Sequence, residues 1–208
     1  MLRWFLLLFC LLPFTPAAWA EETMAPDALV RNVTEEVLNI LRNDRDIQRG
    51  DARKVNELVD TKVLPHFDFT RMTQLALARD WRAATTAQQR ALTEEFRQLL
   101  VRTYSRALTE YRNQSIVVRS LRIAPSDSEV RVRTEVRQSG GKPVQIDYSL
   151  ARTDQGWKVF DIEVGGISLV TNYRSSFAQE VREKGIEGLL RTLREKNRAL
   201  ENESAEKK

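Results

Sequence analysis

Val130-Arg131-Val132-Arg133-Thr134-Glu135-Val136-Arg137 alternates without a break, with Val130, Val132, Thr134 and Val136 facing one way and the charged residues the other. A period of two marks a strand buried on one face only. After Gly140-Gly141 the pattern returns in Val144, Ile146, Tyr148 and Leu150, and Gln155-Gly156 turns into a third run, Trp157 to Val164. Ile116 to Ile123 supplies a strand ahead of these. Four consecutive strands with short connections predict an antiparallel meander with one wet face. Strict alternation in the last run puts Trp157 and Val159 on one face and Phe160, Ile162 and Val164 on the other, so both faces of that strand are expected to be covered.

Outward from the meander the period is 3.6. Leu29, Val33, Val37, Ile40 and Leu41 form a helical stripe behind Asp27, a candidate N-cap, and Ala52 to Val59 gives a short second helix. Leu64-Pro65-His66-Phe67-Asp68-Phe69 turns into a third helix carrying Met72, Leu75 and Ala76. Thr86 with Gln89 matches a capping box and opens the longest helix, over roughly 86–112, whose stripe runs from Leu92 and Phe96 to Tyr104, Ala107, Leu108 and Tyr111. Beyond Gly165-Gly166 a helix with Leu169, Val170, Tyr173, Phe177 and Val181 ends at Gly185, and Ile186 to Leu200 forms another. Residues 201–208, mostly charged, read as a disordered tail. Helices, a meander, then helices make an α+β chain.

The first 20 residues stand apart. Arg3 precedes the apolar run Trp4 to Leu12, Pro13 and Pro16 break it, and Ala18-Trp19-Ala20 suits signal-peptidase cleavage. That run falls short of the ~20 residues needed to span a bilayer. The expected product is an exported chain starting near Glu21, with residues 21–200 as one domain. Cys10, the only cysteine, leaves with the leader, which excludes disulfide scaffolds, thiol chemistry and cysteine-ligated metal from the mature chain. The net charge of +4 drops by one when Arg3 goes, and the remaining charges are interleaved rather than clustered. An exported chain of this kind points to solvated faces and not to nucleic acid.

Catalysis has few resources. His66 is the single histidine, so no His-rich metal site can form, and it reads as a capping or packing residue at a helix start. Asp68 could orient it, but no nucleophile has the context of a triad. Asp147, Asp161 and Glu163 on strands could pair for acid–base work, although a wet sheet face is the simpler expectation for them. The double glycines lack the spacing of a phosphate-binding loop. What remains is apolar surface: Tyr104, Leu108 and Tyr111 on the long helix, Val144, Ile146 and Tyr148 on a strand, Tyr173 and Phe177 on a late helix. An ordinary core accounts for these as readily as a pocket, though tyrosine hydroxyls suit a pocket mouth.

A series of stretches bears on that choice. They are Val63-Leu64-Pro65-His66-Phe67-Asp68-Phe69, Met72 to Leu77, Arg79-Asp80-Trp81-Arg82 and Glu94-Glu95-Phe96 to Tyr104. Later come Gly156-Trp157-Lys158-Val159-Phe160-Asp161, Gly166-Ile167-Ser168-Leu169-Val170, Asn172-Tyr173-Arg174 and Phe177. In this order, across nearly all of 25–198, the chain resembles the MlaC family, the toluene-tolerance auxiliary components that carry phospholipid through the periplasm of Gram-negative bacteria. The resemblance implies helices packed on a curved four-stranded antiparallel sheet, enclosing an apolar lipid cavity. It implies a non-enzymatic, monomeric periplasmic carrier, without cofactor and with glycerophospholipid as cargo. The implied partners are the substrate-binding component of an inner-membrane ABC transporter and an outer-membrane lipoprotein complex, with a role in outer-membrane lipid asymmetry. The expected lipid contacts are Leu75, Tyr104, Leu108, Val144, Ile146, Tyr148, Trp157, Val159, Val164, Val170, Tyr173 and Phe177. The alternative is a small-ligand binder or enzyme on a similar cone-shaped scaffold, which a carboxylate facing Tyr148 inside the cavity would favour. Arg131, Arg133 and Arg137, with Arg79, Arg82 and Arg90, are the cations available for docking.

Overall fold

The computed structural model describes residues 24–105, 108, 114–138 and 140–206. The expected leader, Tyr111 and Ala107, and Lys207 and Lys208 of the expected tail lie outside the described residues. Helix α1 (Pro26–Asn43) opens with Pro26 in its first turn and Asp27 one residue inside, so the cap expected at Asp27 is replaced by proline's fixed φ at a position where the missing N–H costs nothing. Short helices α2 (Arg45–Gln48) and α3 (Ala52–Leu58) follow, each capped by an aspartate, Asp44 and Asp51. A π turn, Val59–Val63, and a 3₁₀ turn, Leu64–His66, lead to α4 (Phe69–Leu77), where Asp68 accepts the Arg71 N–H at 2.9 Å. The long helix α5 (Thr86–Tyr104) begins one residue earlier than Thr86 and Gln89 suggest: Thr85 and Gln88 make the capping box. Paired threonines and paired glutamines offer two registers, and the earlier one is taken.

The sheet has five antiparallel strands in sequence order: β1 (Ser115–Val118), β2 (Glu129–Arg137), β3 (Val144–Thr153), β4 (Gly156–Val164) and β5 (Ile167–Ser168). Four were expected. Gly165 and Gly166, at φ 58 and 84, form a two-residue hairpin turn that folds β5 back on β4, with Val164 opposite Ile167. Alternation in β2 is as expected, with Val132 and Thr134 buried and Arg131 and Arg133 exposed.

In β4 it is not. Ser149 pairs with Asp161 and Leu150 with Val159, so Phe160 is an extra residue, a β-bulge. The bulge switches parity, so Trp157, Val159, Ile162 and Val164 share the inner face and Phe160 lies opposite, against the α4–α5 cluster. Both faces of β4 are covered as expected, but with a different division of residues: on the outer face Phe160 packs on the helix cluster and Asp161 is buried beside it.

After β5, α6 (Arg174–Glu206) runs to Glu206 through most of the expected tail, and Arg102 pairs with Glu201 at 3.1 Å. No Pro or Gly follows Gly188 to stop it. Gly185, at φ 68, breaks it where the sequence put a boundary.

Apolar side chains gather in three clusters rather than one. The first joins α4, α5 and α6 around Phe96, Leu92 and Leu189; the second joins α1 and α3 around Leu41 and Val55; the third covers the inner sheet face around Val132 and Leu150. A domain of this size usually has a single contiguous core.

Candidate functional site

Where the three clusters meet they leave a cavity of about 380 Å³, within the range of ligand pockets (~300–1,000 Å³). One wall is α1, contributing Leu29, Val30, Val33, Val37 and Leu38 from successive turns of its stripe. The π turn adds Val59 and Val63, and α5 adds Leu100, Val101 and Tyr104 with Ser105 and Leu108 beyond it. The sheet gives Ile116, Ile146, Tyr148, Val159, Ile162 and Val164, the last three brought to one face by the bulge. Phe67 and Phe69, stacked with centroids 5.7 Å apart, complete the lining beside Met72. Their segment is fastened to β4: the Asp68 N–H donates to Val159 O at 2.8 Å and Lys158 Nζ donates to Pro65 O at 2.6 Å.

Among the described residues no aspartate, glutamate, lysine or arginine lines this space. His66 does line it, and burial, then the nearby Lys158, lower its pKa from the ordinary histidine value against the pull of Glu36, which favours the neutral ring. It does not cap α4, a role that Asp68 takes. Tyr148 is raised to about 12 by burial. At the edge of the cavity Val164 is 36% exposed, and Ile167 and Val144 at the same end of the sheet are 64% and 41% exposed, so the lining reaches solvent there.

Six of the twelve candidate contacts are brought together here: Tyr104, Leu108, Ile146, Tyr148, Val159 and Val164. The other six lie elsewhere. Val170 and Phe177 are buried in the α4–α5–α6 cluster, with Leu75 and Tyr173 packed against it. Trp157 belongs to the sheet cluster, under the Arg152 guanidinium, and Val144 faces solvent. Sequence reasoning missed the α1 wall, the π turn and Phe67, although the α1 stripe was legible.

The carboxylates also differ from expectation. Asp147 and Asp161 are buried, at 6% and 8% exposure, not solvent-facing. Both occupy the outer face, away from Tyr148, in register with Glu163 and Ser149. Asp161 Oδ1 accepts from Ile162 N at 2.8 Å, Ser168 Oγ at 2.9 Å and Val170 N at 3.4 Å, which ties β4 to the segment entering α6. These bonds give it a structural task. On the same face Arg131 holds Glu163 at 2.7 Å and Arg137 holds Glu135, so two of the three docking candidates there are already paired. No group of three or more His, Cys, Asp or Glu among the described residues is placed to hold a metal ion. No described helix is long and apolar enough to cross a membrane.

A profile of the MlaC protein family matches residues 31–195. The chain is 20% identical over 192 residues, 90% of each chain, to the intermembrane phospholipid transport system binding protein MlaC of Haemophilus influenzae. It is 25% identical over 161 residues, 77% of this chain and 74% of the relative, to the toluene tolerance protein ttg2D of Pseudomonas putida. Its fold is similar to the solved phospholipid-binding protein of Ralstonia solanacearum in complex with a phospholipid, with a TM-score of 0.79 and 38% identity over 85% of this chain and 99% of that one.

Proposed function

The chain belongs to the MlaC family, and on that premise we propose how it works. It is a phospholipid-binding carrier of an intermembrane transport system, not an enzyme. The single observation that carries the mechanism is the lining: a cavity of about 380 Å³ walled mainly by aliphatic and aromatic side chains, with no aspartate, glutamate, lysine or arginine among the described residues, that reaches solvent at Val164. We propose that acyl chains enter there and lie against Tyr104, Leu108, Ile146, Tyr148, Val159 and Val164 on one side and α1 on the other. Burying ~30 CH₂ groups from water would gain ~24 kcal/mol at ~0.8 each, above the practical ceiling of ~18–21 kcal/mol on affinity. Water is therefore the wrong reference. The bilayer gives the chains a similar gain, so transfer between bilayer and carrier is nearly balanced and can run in either direction.

Residues 1–20 act as the leader that exports the chain to the periplasm, where it works as a monomer between an outer-membrane lipoprotein complex and the substrate-binding component of an inner-membrane ABC transporter. Native mass spectrometry of gently purified protein, followed by organic extraction, tests the reading. One glycerophospholipid per chain is the expected result. Empty protein that also fails to take lipid from vesicles overturns it.

A further inference from the structure

Tyr148 stands out in this lining. It sits between Val132 and Ile162 in the sheet, and neighbours that line the cavity alongside it are aliphatic. No described residue hydrogen-bonds its hydroxyl, and burial is the only cause that raises its pKa. Among the described residues the one side-chain polar atom that is both sealed from solvent and unpartnered is Asn197 Oδ1. The Tyr148 hydroxyl therefore still meets free space, and the space that Tyr148 borders is the cavity. While the cavity is empty, water can satisfy it. A cargo made only of hydrocarbon would displace that water and leave a buried donor unpaired, which is costly.

A glycerophospholipid brings few acceptors into an apolar space. Its phosphate is charged and belongs at the wet end; its acyl chains have none; its ester carbonyls are the acceptors that can follow the chains inward. Tyr148 lies two residues along β3 from Ile146, whose partner is the partly exposed Val164, a step of ~6.6 Å at ~3.3 Å per residue. An ester that has just passed the mouth is within reach of a tyrosine side chain at that depth.

We infer that the Tyr148 hydroxyl donates a hydrogen bond to an ester carbonyl of the bound lipid, fixing how deep the glycerol sits and favouring ester-linked over ether-linked phospholipid. The inference rests on the phospholipid-carrier reading above. It makes Tyr148 a positioning residue whose selectivity is for the linkage, not the head group.

The test is a competition. Delipidated wild-type protein and Tyr148→Phe are each offered vesicles containing equal amounts of diacyl phosphatidylcholine and dialkyl-ether phosphatidylcholine of the same chain length, and bound lipid is counted by native mass spectrometry. Wild type should favour the ester about five- to tenfold, the scale of one neutral hydrogen bond. Tyr148→Phe, which keeps the ring and its packing, should bring the ratio close to one. A wild-type ratio near one, or the same ratio in both proteins, overturns the inference and leaves the carrier reading standing. If wild type takes up neither lipid, both fall.

Discussion

Between α5 and α6, Phe96 meets Tyr173 and Phe177 edge-on, with ring centroids 5.2 Å apart in each pair, and Tyr173 meets Phe177 at 5.4 Å. Between α1 and the sheet, Val33 and Val37 face Ile146 and Ile162 with open space between them. Both regions are built from apolar stripes of ordinary period. The difference is in what sets the distance between opposing walls. In the solid region two helices lie directly on one another, and rings interlock across the seam. In the hollow region α1 rests on β1 and β2, and its Val30 joins Leu150 and Val159 in the sheet cluster, while Ile146, Ile162 and Val164 toward the other end of the same strands border open space. The Phe67–Phe69 stack and the π turn wall the gap without filling it. Apolarity decides which way a side chain points; the backbone scaffold decides whether anything meets it.

This contrast can be broken most severely at Phe96, which is 0% exposed. Phe96→Ala should cost ~3–5 kcal/mol in urea unfolding, because the ring's removal leaves a void that the helices cannot close. Next comes the tie between the regions. Asp161→Ala strips the acceptor from Val170 N, Ser168 Oγ and Ile162 N and should cost ~1–3 kcal/mol by the same measurement. A matched pair then sharpens the comparison. Leu92→Phe, in the solid region at 0% exposure, should destabilise by ~1–3 kcal/mol through overpacking. Val33→Phe, which adds more volume still but facing the cavity, should cost under ~1 kcal/mol and reduce bound lipid. Equal destabilisation of the two would show that the hollow region is packed in solution.

The smallest effect is in pH. Tyr148 in the hollow region and Tyr173 in the solid one both have pKa values raised from 10.0 to about 12, with burial the leading cause in each. A raised pKa means that the folded state favours the neutral phenol. The stabilisation is complete below pH 10 and is lost as pH climbs through 12. Nothing should change at neutral pH. Ultraviolet titration should show one fewer late-ionising phenol in Tyr148→Phe than in wild type, and bound lipid should delay Tyr148 but not Tyr173.

The meander, the helix boundary at Gly185 and the exposed arginine face of β2 were legible from periodicity alone, because each follows from local spacing. The parity of β4 follows from a break in that spacing: alternation runs through Trp157-Lys158-Val159, stops at the adjacent apolar pair Val159-Phe160 and resumes out of phase in Asp161-Ile162-Glu163-Val164, which strict alternation overlooks. Val170, Tyr173 and Phe177, expected on a lipid wall, lie in the α4–α5–α6 cluster for a related reason. A stripe states that these residues face inward, and they do, but onto Phe96 and not onto a void. The α1 wall was visible as a stripe and could not be told from core by the same logic. Asp147 and Asp161 were expected in water because strand position alone does not reveal the Gln145 amide that covers one or the turn back to Ser168 that encloses the other.

Phe160 gives the bulge a meaning in the language of insertions and deletions. Without that residue, β4 would read Trp157, Lys158, Val159, Asp161, Ile162, Glu163, Val164, in which apolar and polar residues alternate with no interruption. Every cavity-facing side chain would keep its face, and so would Asp161. What would vanish is the one ring that crosses to the helices, with the Arg71 guanidinium 3.7 Å above its centroid. The extra position thus leaves the strand correctly phased on either side of it, and its ring is a second link, beside Asp161, between the hollow half of the molecule and the solid half.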